Sequence, residues 1–305
     1  MSFSTDLKEE LCQKIPEEDC CCRAELAALL HFAGQIISTP GKEEIRLETE
    51  NIALARLMLR LIRRLYGIRA ELEVSKKESR KASHVMICIR GREDCRQVTG
   101  DIPPGMASEL NDEIRGRECC RRAFLRGAFL VSGSISDPGR SYHFEIICRD
   151  MDEAVYLQQL LMPYEITAGI TTRKNRPVLY VKDSTAIVDV LNIMGAYQAL
   201  MKMENIRIVK EMRNSANRQT NCDIANNEKM LRAARRQIED IRLIREKLGF
   251  ENLPENLRDT AIARLEYPDA SIQELGGYLD PPVGKSGVNH RLRKLAAIAE
   301  DLKQQ

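Results

Sequence analysis

Two groups of residues in this chain have the types and spacing for chemistry: its cysteines, and a run of bases near its end. Ten cysteines are present, and five fall in two runs of adjacent residues, Cys20-Cys21-Cys22 and Cys119-Cys120. Thiolates can hold a soft metal or form disulfides, and spacing decides between the two. Zinc sites usually show C-x-x-C pairs with a second pair or histidines nearby. Cys12, Cys20, Cys21 and Cys22 offer no such pair of pairs, and the chain has only four histidines. A disulfide framework does not suit a cytosolic chain of 305 residues. The cysteines therefore read as small buried apolar residues, and no metal or other cofactor is expected.

The bases point to nucleic acid. Net charge is only +2, but residues 1–200 sum to −1 and residues 201–305 to +3. Within the latter, Pro281 to Ala299 carries Lys285, Arg291, Arg293 and Lys294 and no acid. An acid-free basic stretch suits a phosphate backbone, although a solvated helix face could look the same. No apolar run is long enough to span a bilayer, and Met1 to Asp6 lacks the basic-then-apolar pattern of a secretory leader. A cytoplasmic, nucleoid-associated protein is expected, with no membrane partner and no small-molecule substrate.

An internal repeat organises the elements before the basic stretch. Residues 20–36, CCCRAELAALLHFAGQI, align with residues 119–135, CCRRAFLRGAFLVSGSI, at an offset of 99. Identities fall at Cys20/Cys119, Cys21/Cys120, Arg23/Arg122, Ala24/Ala123, Leu26/Leu125, Gly34/Gly133 and Ile36/Ile135. Each copy is followed by a Pro-Gly turn (Pro40-Gly41; Pro138-Gly139) and an alternating strand, Glu44–Thr49 or Tyr142–Cys148. Amphipathic helices come next, with apolar Ile52, Ala55, Leu59 and Ile62, or Met151, Val155, Leu157 and Leu161. Strands at Arg69–Ser75 and Val85–Arg90, or Glu165–Thr172 and Val178–Lys182, precede a closing helix near Met106–Ile114 or Thr185–Met194. Ala27, Ala28, Ala33 and Gly34, like Gly127, Ala128, Ser132 and Gly133, are small enough for the two repeated helices to pack closely about a pseudo-twofold axis.

Both repeated segments resemble the LAGLIDADG motif of homing endonucleases. Aligned on the last glycine, the motifs run from Leu26 to Gly34 and from Leu125 to Gly133. The resemblance implies an α+β fold, a two-repeat αββαββα LAGLIDADG-like domain, with an all-α helix-turn-helix domain after it. In the nucleases the acid before the final glycine holds the catalytic metal; here those positions are Ala33 and Ser132. A hard cation needs carboxylate oxygens that neither supplies, so no catalytic residues and no enzyme activity are expected. His31, two residues earlier on the helix, points to a different side.

The C-terminal segment reads as helices. Residues 211–223 read as a linker, because Arg213–Asp223 is rich in Asn, Arg, Ser and Thr. A helix follows with Leu231, Ala234, Ile238, Ile241 and Leu248 inward, stopped at Gly249. Another starts at Pro254 and ends near Glu266; Ser271 and Glu274 form a capping box for a short helix; a last helix begins near Lys285–Ser286. In a helix-turn-helix unit that last helix enters the major groove. Lys285, Ser286, Asn289, His290 and Arg293 would face base edges, with Arg291 and Lys294 toward phosphates.

This order of domains, with Asn221 to Asn226, Leu253 to Leu257 and above all Ser271 to Leu295, resembles the WhiA family of bacterial regulators. The expected domains are 1–210 (repeats about 1–115 and 116–210), the linker 211–223, and 224–305, with the helix-turn-helix motif at about 271–303. The resemblance implies double-stranded DNA as partner, a role in cell division and chromosome segregation (sporulation in actinobacterial relatives), and partnership with a sigma factor or RNA polymerase. Two alternatives are an active homing endonuclease and a protein-interaction scaffold whose DNA binding is incidental.

Overall fold

The computed structural model describes residues 2–39, 42–75, 84–103 and 109–304. The chain divides into two compact units, Met1–Lys210 and Glu211–Gln305. The Pro40-Gly41 turn and the start of the helix expected at Met106 lie outside the described residues.

The first unit is a duplicated α+β structure. Helix α1 (Phe3–Cys12) precedes the first motif helix α2 (Asp19–Ala33), strands β1 (Gly34–Thr39) and β2 (Lys42–Thr49), helix α3 (Ile52–Tyr66), strands β3 (Glu71–Ser75) and β4 (His84–Arg90), and helices α4 (Arg92–Asp101) and α5 (Glu109–Gly116). The second motif helix α6 (Glu118–Ser132) leads to β5 (Gly133–Ile135), β6 (Phe144–Ile147), α7 (Met151–Leu161), β7 (Gly169–Arg173), β8 (Arg176–Val181) and α8 (Ser184–Met194). Each half carries a four-stranded antiparallel sheet of the same order, β1-β2-β4-β3 and β5-β6-β8-β7. Helices α1 and α4 were not foreseen from the sequence. Helix α1 is amphipathic in an ordinary way: Phe3, Leu7 and Leu11 are buried at helical spacing, and Ser2 caps it by accepting from the Thr5 amide at 3.2 Å.

Local chemistry explains the helix ends. Asn51 caps α3 by accepting from the amides of Ala53 and Leu54, and Gly67 ends it in the left-handed region at φ +69°. The apolar stripe of α3 is Leu54, Ala55, Leu57, Met58, Leu61 and Ile62, while Ile52 is exposed. In α7 the buried set is Ala154, Tyr156, Leu157, Leu160 and Leu161, and Met151 and Val155 face solvent. The expected stripes were rotated because the first residue of each helix was counted as core. Both lie at N-termini, where a side chain projects beyond the packed layer.

The two motif helices α2 and α6 form the seam between the halves. They pack closely at Gly127: a Cβ there would stand 2.7 Å from the Glu25 carbonyl oxygen and 2.8 Å from the Ala28 Cβ. Ala24, Ala27, Ala28, Ala123 and Ala128 line the same buried region. Among the described residues, one ion pair joins α2 to α6. Arg126 grips the Glu25 carboxylate with both arms, at 2.9 and 2.6 Å, with Glu25 wholly buried. Burial pushes the Glu25 carboxyl up from its ordinary range, against the pull of the Arg126 hydrogen bonds.

Residues 211–223, expected as a linker, are helical. They lie inside α9 (Tyr197–Lys247), whose 51 residues contain no proline or glycine. Polar side chains that favour turns are here satisfied within the helix. Thr220 Oγ1 donates to the Ala216 carbonyl at 3.0 Å, and Gln219 bonds Asp223 one turn on. At the other end, Glu10 of α1 accepts from the amides of Gln198 and Ala199, both at 2.9 Å, satisfying donors that the first turn leaves free.

In the second unit, α9 runs into α10 (Glu255–Glu266), α11 (Ile272–Gly277) and α12 (Lys285–Lys303). Ile241, Ile244, Leu253, Leu257, Ala261, Leu275, Leu279, Val288, Leu292, Leu295 and Ala299 make its core. Leu231, expected inward, is exposed. Gly249 has φ +80°, a conformation that lets the chain leave α9 sharply.

Candidate nucleic-acid interface

The interface on the second unit is built by a capped short helix and a basic one. Ser271 accepts from the Glu274 amide at 3.3 Å, and the Glu274 carboxylate accepts from the Ser271 amide at 2.8 Å. Those hydrogen bonds hold the Glu274 carboxyl below its ordinary range. The connector between α11 and α12 is longer than a tight turn, yet it folds back onto α11. The Val283 amide donates to the Gly276 carbonyl at 2.9 Å. A Cβ at Gly276 would stand 2.0 Å from the Val283 carbonyl oxygen, so only glycine permits this return.

Helix α12 buries Val288, Leu292, Leu295 and Ala299, with Ile298 and Leu302 partly buried. At about 100° per residue this stripe leaves Ser286, His290, Arg293 and Lys294 on the open side, and all four are exposed. Lys285, the first helical residue, is exposed as well, and Asn289 is half-buried at the margin of the stripe. Arg291 departs from expectation. It lies on the opposite flank, half-buried, and donates to the Asn256 carbonyl at 3.3 Å and to Thr260 Oγ1 at 3.5 Å. Its guanidinium is engaged by α10, because a stripe centred between Leu292 and Leu295 turns position 291 toward the neighbouring helix.

The motif positions of the first unit offer no carboxylate. Ala33 ends α2 and Ser132 ends α6, each followed by its glycine. Ser132 Oγ donates to the Ala128 carbonyl at 3.2 Å, so its hydroxyl proton is spent within the helix. His31 Nε2 lies against the buried Glu153 carboxylate of α7. Glu153 also accepts from the Arg149 amide at 2.5 Å, which ties it to the start of α7.

The sheets gather charges that no sequence run announces. Strand alternation puts Glu44, Arg46, Glu48, Glu71, Glu73 and Arg90 on one face of the first sheet. Arg90 bonds Glu44, Glu71 and Glu73, and Arg46 bonds Glu44 at 2.9 Å. The matching face of the second sheet carries Arg173, Arg176 and Lys182 against Glu145. Burial resists ionisation of Glu145, but hydrogen bonds from Arg173, His143 and Ser134 outweigh it and hold the carboxyl below its ordinary range.

Sequence reasoning also missed a constellation of cysteines. The Sγ atoms of Cys20, Cys21, Cys119 and Cys120 lie within 4.8 Å of one another. The pair of pairs sought within one stretch of chain is assembled from the two repeats, and the Cys20/Cys119 and Cys21/Cys120 alignments were its signal. Among the described residues, no helix is long and apolar enough to cross a membrane.

Comparison with known proteins agrees with this architecture. Residues 19–94 match the family described as the WhiA N-terminal LAGLIDADG-like domain, residues 121–213 the WhiA LAGLIDADG-like domain, and residues 216–299 the WhiA C-terminal HTH domain. A protein of Heliobacterium modesticaldum named "Probable cell division protein WhiA" is 45% identical, with 100% of this chain and 98% of that protein covered. One of the same name from Lachnoclostridium phytofermentans is 42% identical, with 100% of both covered. The crystal structure of full-length WhiA from Thermatoga maritima superposes with a TM-score of 0.62 at 27% identity, covering 99% of each chain. That of a WhiA N-terminal LAGLIDADG domain gives 0.50 at 22% identity over 64% of this chain and 92% of its own. The chain belongs to the WhiA family.

Proposed function

We propose that this protein is a non-enzymatic DNA-binding regulator acting in cell division, through transcription or chromosome segregation. The observation that carries the reading is the exposed basic face of the N-terminal part of α12, acid-free from Lys285 to Ala299, where Ser286, His290, Arg293 and Lys294 stand clear of a core stripe that fixes their direction. A helix presented in this way by a capped preceding helix has the form of a major-groove reader. Arg293 and Asn289 have the donors to read guanine and adenine edges, and Lys285 and Lys294 suit phosphates. The cations on the second sheet add contacts to duplex DNA. Cleavage is not part of the activity, because Ala33 and Ser132 give a metal nothing to bind. A cytoplasmic protein on the nucleoid, partnered by a sigma factor or RNA polymerase, fits this reading.

Mapping bound sites across the genome, then measuring affinity of the full chain for a mapped duplex, tests it. Arg293→Ala is expected to cost about 1–3 kcal/mol at mapped sites only, while Lys294→Ala weakens binding to every sequence and flattens the salt dependence. Site preference that survives Asn289→Ala/Arg293→Ala but is lost on changing Arg173 and Arg176 would move sequence reading to the second sheet. Magnesium-dependent nicking by the purified protein would overturn the non-enzymatic assignment.

A further inference from the structure

The four cysteines at the head of the motif helices have the geometry of a metal site. Cys20 and Cys21 are the second and third residues of α2, and Cys119 and Cys120 hold the same places in α6. Within each pair the sulfurs are 3.9 Å apart, and all four lie within 4.8 Å. Four thiolates bound tetrahedrally to one zinc at about 2.3 Å stand about 3.8 Å from each other. The vicinal pairs already meet that spacing, and the cross-seam pairs need only a small contraction. A disulfide needs sulfurs at about 2.0 Å, and every cysteine here is free. An iron–sulfur cluster interposes several atoms between its thiolates and holds them farther apart than this group stands.

The surroundings suit a charged centre. Both helices direct their positive N-terminal ends at the group, which lowers the cost of thiolate there. Cys21 and Cys119 line an open cleft together with Arg117, Arg122 and Arg126, which gives an ion a way in. The other buried cysteines differ. Cys22 donates to the Pro16 carbonyl and Cys95 to the Ile89 carbonyl, and among the described residues neither belongs to a group of three or more metal-ligating side chains.

We infer that Cys20, Cys21, Cys119 and Cys120 form a mononuclear tetrathiolate site for a soft divalent cation, zinc before others, tying together the heads of the two motif helices. Binding converts four thiols to thiolates and releases their protons to solvent, with no change of oxidation state. The site is structural: four protein ligands close the coordination sphere and leave no position for substrate. It fastens the halves at the helix ends opposite to those carrying Ala33 and Ser132.

Full-length protein purified without oxygen and with reductant is the material for the test. Elemental analysis should find one zinc per chain, and cobalt loading should give the intense visible absorption of a tetrahedral cobalt thiolate. Cys20→Ser/Cys119→Ser should lose both the metal and the absorption, while Cys22→Ser and Cys222→Ser keep them. A chelator should lower the melting temperature of the wild type and leave that of the double variant unchanged. Wild-type protein that stays fully reduced yet takes up neither zinc nor cobalt overturns the inference. Iron with acid-labile sulfide, or a disulfide between the pairs in cells quenched with an alkylating agent, overturns it too. None of these outcomes depends on DNA binding.

Discussion

Replacing Gly127 by alanine sets helix propensity against packing at the seam of the first unit. In an isolated helix the change should help by about 1 kcal/mol. Here the new methyl would stand 2.7 Å from the Glu25 carbonyl oxygen and 2.8 Å from the Ala28 Cβ. Carbon atoms rest about 3.5–4.0 Å apart, so the intrusion is about 1 Å. Neither neighbour can yield, since one is backbone and the other has no torsion to turn. The helices must part, and the loosened contacts then include the buried Ala24, Ala27 and Ala123. Overpacking of this kind costs about 1–3 kcal/mol, and the absence of a flexible neighbour places Gly127→Ala toward the upper end even after the propensity gain. Gly100→Ala in α4 is the control, because nothing lies within 4 Å of a Cβ there, and it should stabilise by up to about 1 kcal/mol. Urea unfolding followed by circular dichroism reads both. With a slope near 2 kcal/mol per molar urea, a loss of 2 kcal/mol lowers the midpoint by about 1 M. Hydrogen exchange of the α2 and α6 peptides assigns the loss to the seam. If Gly127→Ala raised the midpoint as Gly100→Ala does, the close helix approach would not be a packed one and the reasoning would fail.

Arg126→Ala leaves Glu25 buried without its partner and should cost about 3–5 kcal/mol by the same urea assay; Glu25→Gln combined with Arg126→Gln should recover much of the loss. The Glu145 carboxyl is held below its ordinary value, so the stability it contributes is complete above pH 4.5 and is lost as pH falls through its depressed value; melting temperatures across that window should fall less for Glu145→Gln than for wild type. Arg291→Ala should lower the melting temperature of the second unit by an amount equivalent to about 1 kcal/mol while leaving the salt dependence of DNA binding unchanged, since its guanidinium is committed to Asn256 and Thr260; a flattened salt dependence would return it to the phosphates.

The repeat was legible because each copy writes the same periodicity twice, and both sheets take the same strand order. The core stripe of α12 was legible for a related reason: Val288, Leu292 and Leu295 recur at helical spacing with nothing to compete. The helical form of residues 211–223 was not legible, because Asn, Ser and Thr were weighed for their turn tendency, whereas a segment without proline or glycine can satisfy those side chains inside a helix. The contacts of Arg291 were not legible from charge alone: its sequence neighbours Arg293 and Lys294 are exposed, but position 291 turns back to α10. The sheet charges could not be read as a run at all. Arg173, Arg176 and Lys182 come from two strands, and only register brings them to one face.

A duplicated fold gives one rule for finding such groups. A residue near a pseudo-twofold axis meets its own copy, whereas a residue far from the axis does not. The offset of 99 pairs Cys20 with Cys119 and Cys21 with Cys120, and these sulfurs converge. The same offset pairs Ala28 with Gly127, and these meet where the two helices pack closely. Two ligands per half then suffice for a four-ligand site, which explains why no stretch of the sequence shows four. The rule also separates symmetric features from those that set register. Glu25 aligns with Phe124 and Arg126 with Ala27, so the ion pair across the seam exists once and has no mirror image. An unduplicated buried pair penalises any slippage of one helix along the other, because a one-turn shift would strand a charge among alanines. Thus the cysteines use the symmetry of the seam, while Glu25 and Arg126 break it and hold the two halves in a single alignment.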